Sequence, residues 1–293
     1  MESPATSNHR SVFGSLCPIC SGAIWEHVQR VRRASLSRCA SCDLLATTDF
    51  LTEHQCTEKL YDVGPENHKE YKAQYLPARL VFFERILPKL ERFRKSARLL
   101  EVGSGYGDFL ECASIAAWDA QGVEISDYGC KIARTRGRKV YQADFLTARL
   151  IPGSYDIVAM WDVIEHFTDP AEVLRRCMQL LRPGGAIVLR TPDARALTLG
   201  VNPFRVAYRH LAYPANTPEH VFHFTPRDLS SLLTKLAFEA IEIEAQTPWA
   251  EFVVSGNNAV VCAGRRLFLM FACALRWPYE FVVTATKPCG ALA

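Results

Sequence analysis

A short strand ending in a glycine-rich turn most narrows what this chain can become. Ala97 to Val102 has strand character and runs into Gly103-Ser-Gly105-Tyr-Gly107, and a helix begins at Asp108. Glycine at such a turn lets the backbone bend sharply and approach a ligand with no Cβ in the way. The helix that follows offers its first-turn N–H groups. Downstream the pattern recurs. Strands are expected at 120–124, 139–142, 155–160, 186–190, 238–245 and 280–285, with helices at 127–136, 170–181 and 225–236 between them. This alternation predicts an α/β fold: a Rossmann-like seven-stranded, mostly parallel sheet with an antiparallel last strand. The turn is not the dinucleotide fingerprint, because Asp108 stands where its third glycine belongs. A helical lead-in over 51–96 precedes the sheet, with apolar positions Leu80, Phe83, Ile86, Leu87 and Leu90 at helical spacing.

Acidic residues follow at the ends of the next strands. Glu124 lies nineteen residues beyond Gly105, where a carboxylate can accept both ribose hydroxyls. Asp144 ends the third strand, placed to accept an adenine amino group, with Phe145 beside the ring. After the fourth strand comes Asp162-Val-Ile-Glu165-His166. If helical, residues 162, 165 and 166 share one face. Three readings stand there. His166 is a general base oriented by a neighbouring acid; or Asp162, Glu165 and His166 hold a divalent cation that polarises a hydroxyl; or His166 packs and orders the pocket. His220, in Glu219-His220-Val-Phe-His223, can bring a further imidazole to the same place.

These residues resemble the class I S-adenosylmethionine-dependent methyltransferases. The resemblance rests on EVGSGYGDF, GVEIS, YQADFL, YDIVAMWDVIEHFTDP and LRPGGAIVLRTPD, in family order over about residues 97–192. It implies S-adenosylmethionine as cofactor. Glu101, Gly103 and Gly105 would frame its methionine end, and Glu124 with Ile125 its ribose. Asp144 and Phe145 would take the adenine, with Met160, Trp161 and Asp162 near the sulfonium. For methyl transfer, His166, Glu165 and His220 of the acid–histidine cluster are the catalytic candidates. The D-x-x-E-H run is similar to E-x-x-E-H runs of the ubiquinone-pathway O-methyltransferases and the RNA 3′-terminal 2′-O-methyltransferases, but Asp162 has the shorter reach. The expected reaction is methyl transfer, to an oxygen of a small or carrier-linked metabolite of sugar, quinol or natural-product type. An RNA methyltransferase using divalent metal and a non-catalytic cofactor-binding scaffold are the alternatives.

Ahead of this domain stand Cys17, Cys20, Cys39 and Cys42, a C-x2-C pair repeated after eighteen residues. That spacing suits a structural zinc site, since two tight turns each supply two corners of a tetrahedron. Residues 1–50 therefore read as a zinc-ribbon-like module, and 97–293 as the methyltransferase domain with insertions at 193–224 and 249–278. The first insertion reads as a substrate lid. Within the second, a helix at 259–276 would set Arg265, Arg266 and Arg276 opposite Leu267, Phe268, Phe271 and Leu275. Such a helix suits peripheral membrane contact and a lipid-linked substrate, a pocket cover or a dimer seam. The longest apolar run, Leu267 to Leu275, is nine residues, against about 20 for a membrane span. With no signal-like start, the chain reads as cytoplasmic with reduced thiols. Lys plus Arg is 34 against 31 Asp plus Glu, a balance that gives no electrostatic case for a dedicated nucleic-acid binder.

Overall fold

The computed structural model describes residues 16–31, 34–48, 64–197, 219–246 and 279–290, with isolated positions between 267 and 277. Most of the expected lid (198–218) and most of the second insertion, with Arg265, Arg266, Phe268 and Arg276, lie outside the described residues.

An N-terminal antiparallel set, β1 (Trp25–Val31), β2 (Ala34–Cys39) and β3 (Leu45–Thr47), comes first. The helical lead-in is two helices, α1 (Gly64–Gln74) and α2 (Leu76–Leu90), with a short 3-10 turn at Glu91–Phe93. The break falls at Tyr75, two residues before Pro77, which sits in the first turn of α2 where its missing N–H costs nothing. Buried Phe82, Phe83, Ile86, Leu87 and Leu90 form the core face of α2.

The α/β part then follows the expected order. It comprises β4 (Arg98–Val102), α3 (Asp108–Ile115), β5 (Asp119–Glu124), α4 (Asp127–Thr135), β6 (Lys139–Gln142), β7 (Tyr155–Trp161), α5 (Pro170–Leu180) and β8 (Leu181–Pro192). After these come the two-residue β9 (Phe222–His223), α6 (Pro226–Lys235), β10 (Glu239–Gln246) and β11 (Glu280–Thr286). Three helix starts carry the side-chain caps their sequences offer. Ser126 accepts from the Gly129 N–H, Asp169 from the Glu172 N–H, and Thr225 with Asp228 forms a reciprocal capping box.

Seven strands form one sheet in the order β10-β11-β8-β7-β4-β5-β6. The strands from β8 to β6 are parallel, and β11 runs antiparallel to both β8 and β10. All of β7 is buried, as expected for a central parallel strand covered on both faces. Strand order reverses between β4 and β7, whose ends meet with Val102 opposite Met160. The carboxyl edge at such a reversal is where open α/β sheets form their ligand crevice.

The N-terminal strands are not set apart from this body. They join β9 in a second sheet of order β1-β2-β3-β9, with Leu45 opposite His223 and Ala46 opposite Phe222. Cys17, Trp25, Cys39, Leu44 and Ala46 belong to the same buried cluster as Phe222, Phe224 and Leu229.

Candidate active site and its cysteine buttress

The glycine turn occupies the switch point. Gly103 has φ +69°, and a Cβ there would lie 2.7 Å from Val163 Cγ2, so the loop presses on the chain just beyond β7. Gly105 has φ +49°, and a Cβ there would meet nothing within 4 Å. The turn is therefore tight toward the protein and open on the other side, as a loop that receives a ligand must be.

Glu124 fastens this loop. One of its carboxylate oxygens accepts the Gly105 N–H at 2.7 Å and the other the Ser126 N–H at 2.8 Å. Each oxygen has two lone pairs, so these bonds leave acceptor capacity for ribose hydroxyls. Ile125 is half-buried between them. Asp144 is half-buried at the end of β6, and its Oδ1 accepts the Leu146 N–H at 2.7 Å. Phe145 beside it is buried, with the Arg176 guanidinium 5.4 Å from its ring centre. Glu101, near the end of β4, is buried, and its Oε2 has no hydrogen-bond partner among the described residues. Burial holds its carboxyl well above the ordinary range, against the opposing pull of Arg79.

Trp161 differs in placement from its neighbours. Its indole packs edge-on against Phe82 and Phe109, 5.2 and 4.9 Å between ring centres, within the core beneath the sheet. Only its main chain reaches the strand edge.

The expected helix through Asp162, Glu165 and His166 does not form. Asp162 adopts a left-handed φ of +59°, and only Ile164–His166 makes a 3-10 turn. The reason is electrostatic. The Asp162 carboxylate is turned toward buried Arg190, which donates to both its oxygens, and toward Arg79 at 3.3 Å. Burial alone would raise the Asp162 pKa; the two guanidinium groups outweigh it and hold it below the ordinary value. Asp162 thus stands apart from the group that can hold a metal ion, which is Glu165, His166 and His220, with ligand atoms all within 4.8 Å of one another.

Glu165 and His220 of this group are buried and His166 is half-buried. Among the described residues neither Glu165 oxygen has a partner at full hydrogen-bond geometry, though the Thr191 hydroxyl lies close enough to pull its pKa down. Burial, with help from the Asp162 charge, pushes its pKa up to about 8. The His166 and His220 rings meet edge to face with centres 4.8 Å apart. His166 Nδ1 lies 3.0 Å from the Glu219 carbonyl. A carbonyl only accepts, so Nδ1 carries a proton toward it. Burial lowers the pKa of both imidazoles, that of His220 further because His166 and His223 face it.

Several groups around the crevice carried no signal in the sequence. Helix α1 lies against the glycine turn: His68 stacks on Tyr106 at 4.2 Å, and Tyr71 donates to Asp108 at 2.9 Å. His68 Nε2 is buried without a hydrogen-bond partner among the described residues. Several basic side chains of the helices and strands are paired with acids. Arg136 pairs with Asp108 and Glu111, Lys139 with Asp119, Lys89 with Glu244, and Arg92 with Glu242.

The four N-terminal cysteines converge. Cys17 and Cys42 sulfurs are 3.5 Å apart, Cys20 and Cys39 sulfurs 3.4 Å, and all four lie within 4.8 Å. A disulfide would need about 2.05 Å. Four thiolates around a cation at about 2.3 Å would be roughly 3.8 Å apart, near what is seen. The two C-x2-C turns are built alike. Ser21 and Asp43 both have positive φ, their N–H groups donate to the Cys17 and Cys39 carbonyls, and the Cys17 and Cys39 N–H groups donate to Gly22 and Leu44. Burial pushes the Cys17 thiol up to about 11, so a bound cation would have to supply the stability of the thiolate.

Among the described residues no helix is long and apolar enough to cross a membrane. Leu267, Met270, Phe271 and Leu275 are exposed, with a helical bond from the Leu275 N–H to the Phe271 carbonyl.

Comparison with known proteins agrees with this geometry. Residues 70–243 match the model of a methyltransferase-domain family. The ubiquinone biosynthesis O-methyltransferase of Leptothrix cholodnii is 26% identical over 174 residues, 56% of this chain and 72% of that enzyme. The enzyme of the same name from Bordetella avium is 32% identical over 196 residues, 63% of this chain and 79% of that enzyme. An S-adenosylmethionine-dependent methyltransferase of Thermotoga maritima superposes with a TM-score of 0.52 at 20% identity, covering 75% of this chain and 95% of that one. At that identity the likeness shows the fold.

Proposed function

The chain belongs to the methyltransferase-domain family, and from that premise we propose that it methylates an oxygen of a small, quinol-type acceptor using S-adenosylmethionine. The observation that carries the reading is the meeting of two features at one sheet edge. Buried Glu165 and half-buried His166 lie just beyond β7 with buried His220 against them, and Val163 of the same segment packs on Gly103 of the cofactor turn. Similarity to the ubiquinone biosynthesis O-methyltransferases supports the acceptor class.

When bound, the cofactor supplies an electrophilic methyl group on a sulfonium. This chain's residues hold and orient it. Glu124 takes the ribose hydroxyls while tying down Gly105, Asp144 and Phe145 take the adenine, and buried Glu101 Oε2 pairs with the methionine ammonium. The Glu101 oxygen that lacks a partner among the described residues is the feature of the fold that such a cation fits. His166, its Nδ1–H held by the Glu219 carbonyl, takes the acceptor's hydroxyl proton at Nε2. Alignment of the hydroxyl behind the methyl group accounts for much of the rate.

A second reading is favoured by the Glu165 carboxylate, whose oxygens lack a partner at full hydrogen-bond geometry among the described residues. Glu165, His166 and His220 would bind a divalent cation that lowers the pKa of the acceptor hydroxyl. Asp162 is left out of it, since Arg190 and Arg79 already neutralise it. At the N-terminus, Cys17, Cys20, Cys39 and Cys42 would hold a structural zinc. The exposed Leu267, Met270, Phe271 and Leu275 suit contact with a lipid-like acceptor or its membrane.

The test is label transfer from methyl-labelled S-adenosylmethionine to a prenylated catechol, with and without chelator. Label on the phenolic oxygen supports the reading, and chelator-sensitive transfer selects the cation form. Transfer to amine or RNA probes, with none to the catechol, overturns it.

A further inference from the structure

A path of main-chain bonds leads from the cysteine module to the acid–histidine group. Cys39 closes β2, and β2 pairs with β3, setting Leu36 opposite Thr47 and Arg38 opposite Leu45. Strand β3 in turn pairs with β9, which immediately follows His220 and Val221. The Thr47 N–H donates to the Val221 carbonyl at 2.9 Å, and the Val221 N–H donates to the Glu165 carbonyl at 2.8 Å. Residue 219 is fixed separately, because its carbonyl accepts from His166. His220 therefore stands between two pinned neighbours, one held by the catalytic turn and one by the cysteine module. A buried side-chain bond closes the arrangement: Thr47 Oγ1 lies 2.9 Å from His223 Nε2. The two β9 rings belong to the same packing, since the His220 and His223 centres are 6.1 Å apart and Phe222 packs on Trp25.

We propose that Thr47 is a positioning residue for the His166–His220 pair, and that the cysteine module serves as the buttress supplying it. Strand β3 sets the backbone of 219–223 to a register that puts His220 edge-on to His166. The Thr47 hydroxyl locks that register by engaging the His223 ring. A module present only for stability or for recruiting a partner has no need to place a strand beside the catalytic turn or to bury a hydroxyl on a ring there. The proposal takes its catalytic meaning from the reading of His166 and His220 given above. Its test reads ring geometry directly and needs no acceptor.

The experiment uses the full chain with ¹⁵N-labelled histidine. Ring signals are assigned by His166→Gln, His220→Gln and His223→Gln. Thr47→Val keeps the shape and deletes the hydroxyl; Thr47→Ser keeps the hydroxyl. Thr47→Val is expected to shift the ring nitrogens of His223, His220 and His166 together, while Thr47→Ser restores all three. Affinity for S-adenosylhomocysteine stays within about two-fold, because the cofactor turn is untouched. With the catechol probe, kcat falls roughly 10- to 100-fold at unchanged cofactor KM. A shift confined to His223, or a loss of thermal stability with the His166 and His220 signals unmoved, overturns the proposal. Failure of the catechol to accept methyl, with the three rings still moving together, removes the acceptor assignment and leaves the buttress standing.

Discussion

Glu124 offers the sharpest test of the cofactor map, because one carboxylate is assigned two tasks. It accepts the Gly105 and Ser126 N–H groups and so shapes the turn, and the proposed function also gives it the ribose hydroxyls. Hydrogen bonds to a charged group contribute about 1.5–3 kcal/mol each. Losing two such bonds to the ribose hydroxyls in Glu124→Ala therefore weakens cofactor binding by about 3–6 kcal/mol, or roughly 10²- to 10⁴-fold at about 1.4 kcal/mol per factor of ten. Two loop N–H groups also lose their acceptor, which adds disorder in the turn and pushes toward the larger figure. Glu124→Gln keeps one acceptor oxygen and turns an NH₂ toward the other N–H, so it should fall between wild type and alanine. Titration calorimetry with S-adenosylhomocysteine measures the affinity, and circular dichroism checks that the sheet persists. A folded Glu124→Ala protein that binds within about three-fold of wild type would refute the assignment, since no arrangement of two lost charge-assisted bonds is that cheap.

Other outcomes follow from the same geometry. His166→Ala should cut turnover by about 10²- to 10⁴-fold while sparing affinity for S-adenosylhomocysteine; unchanged turnover would make His166 a packing residue. Cys39→Ser should yield protein with less than one equivalent of zinc by metal analysis and a lower thermal midpoint, and a zinc-free wild type with the same midpoint would end the metal reading. Asp156 is buried at the start of β7 and accepts from Lys95 N–H at 2.9 Å, Ser96 N–H at 2.7 Å and Arg182. Burial alone would raise its pKa, but these donors hold it below the ordinary 3.8. Its stabilisation is therefore present above that value and lost as pH falls through 3.8 toward the folded pKa. Asp156→Asn should cost about 3 kcal/mol at neutral pH and much less near pH 3 by urea unfolding; an equal cost at both would show that the charge is immaterial.

The sequence by itself determined the sheet and the order of its parts. Strand and helix alternate with their own periodicities, and glycine at 103 and 105 states a backbone requirement that does not depend on distant residues. The placement of Glu124 and Asp144 at the carboxyl edge was legible for the same reason, since that edge is where successive parallel strands end. The C-x2-C pairs were legible because four sulfurs at that spacing are a local pattern.

Tertiary structure alone decided what lies across the chain from those patterns. Asp162 reads as part of a helical acid–histidine face, yet Arg190 and Arg79, from β8 and α2, draw it into an ion pair and unwind that face. Trp161 reads as a sulfonium neighbour, yet aromatic rings of α2 and α3 bury it in the core. His68 and Tyr106 meet only because α1 folds over the glycine turn. Thr47 and His223 are 176 residues apart, and their bond exists because β3 finds a partner strand in β9. Local periodicity encodes elements, and it carries no record of which charge or strand edge a distant segment will satisfy. That choice belongs to the packed whole, where a buried carboxylate or an unpaired strand edge must find a partner or leave a costly group exposed to the core.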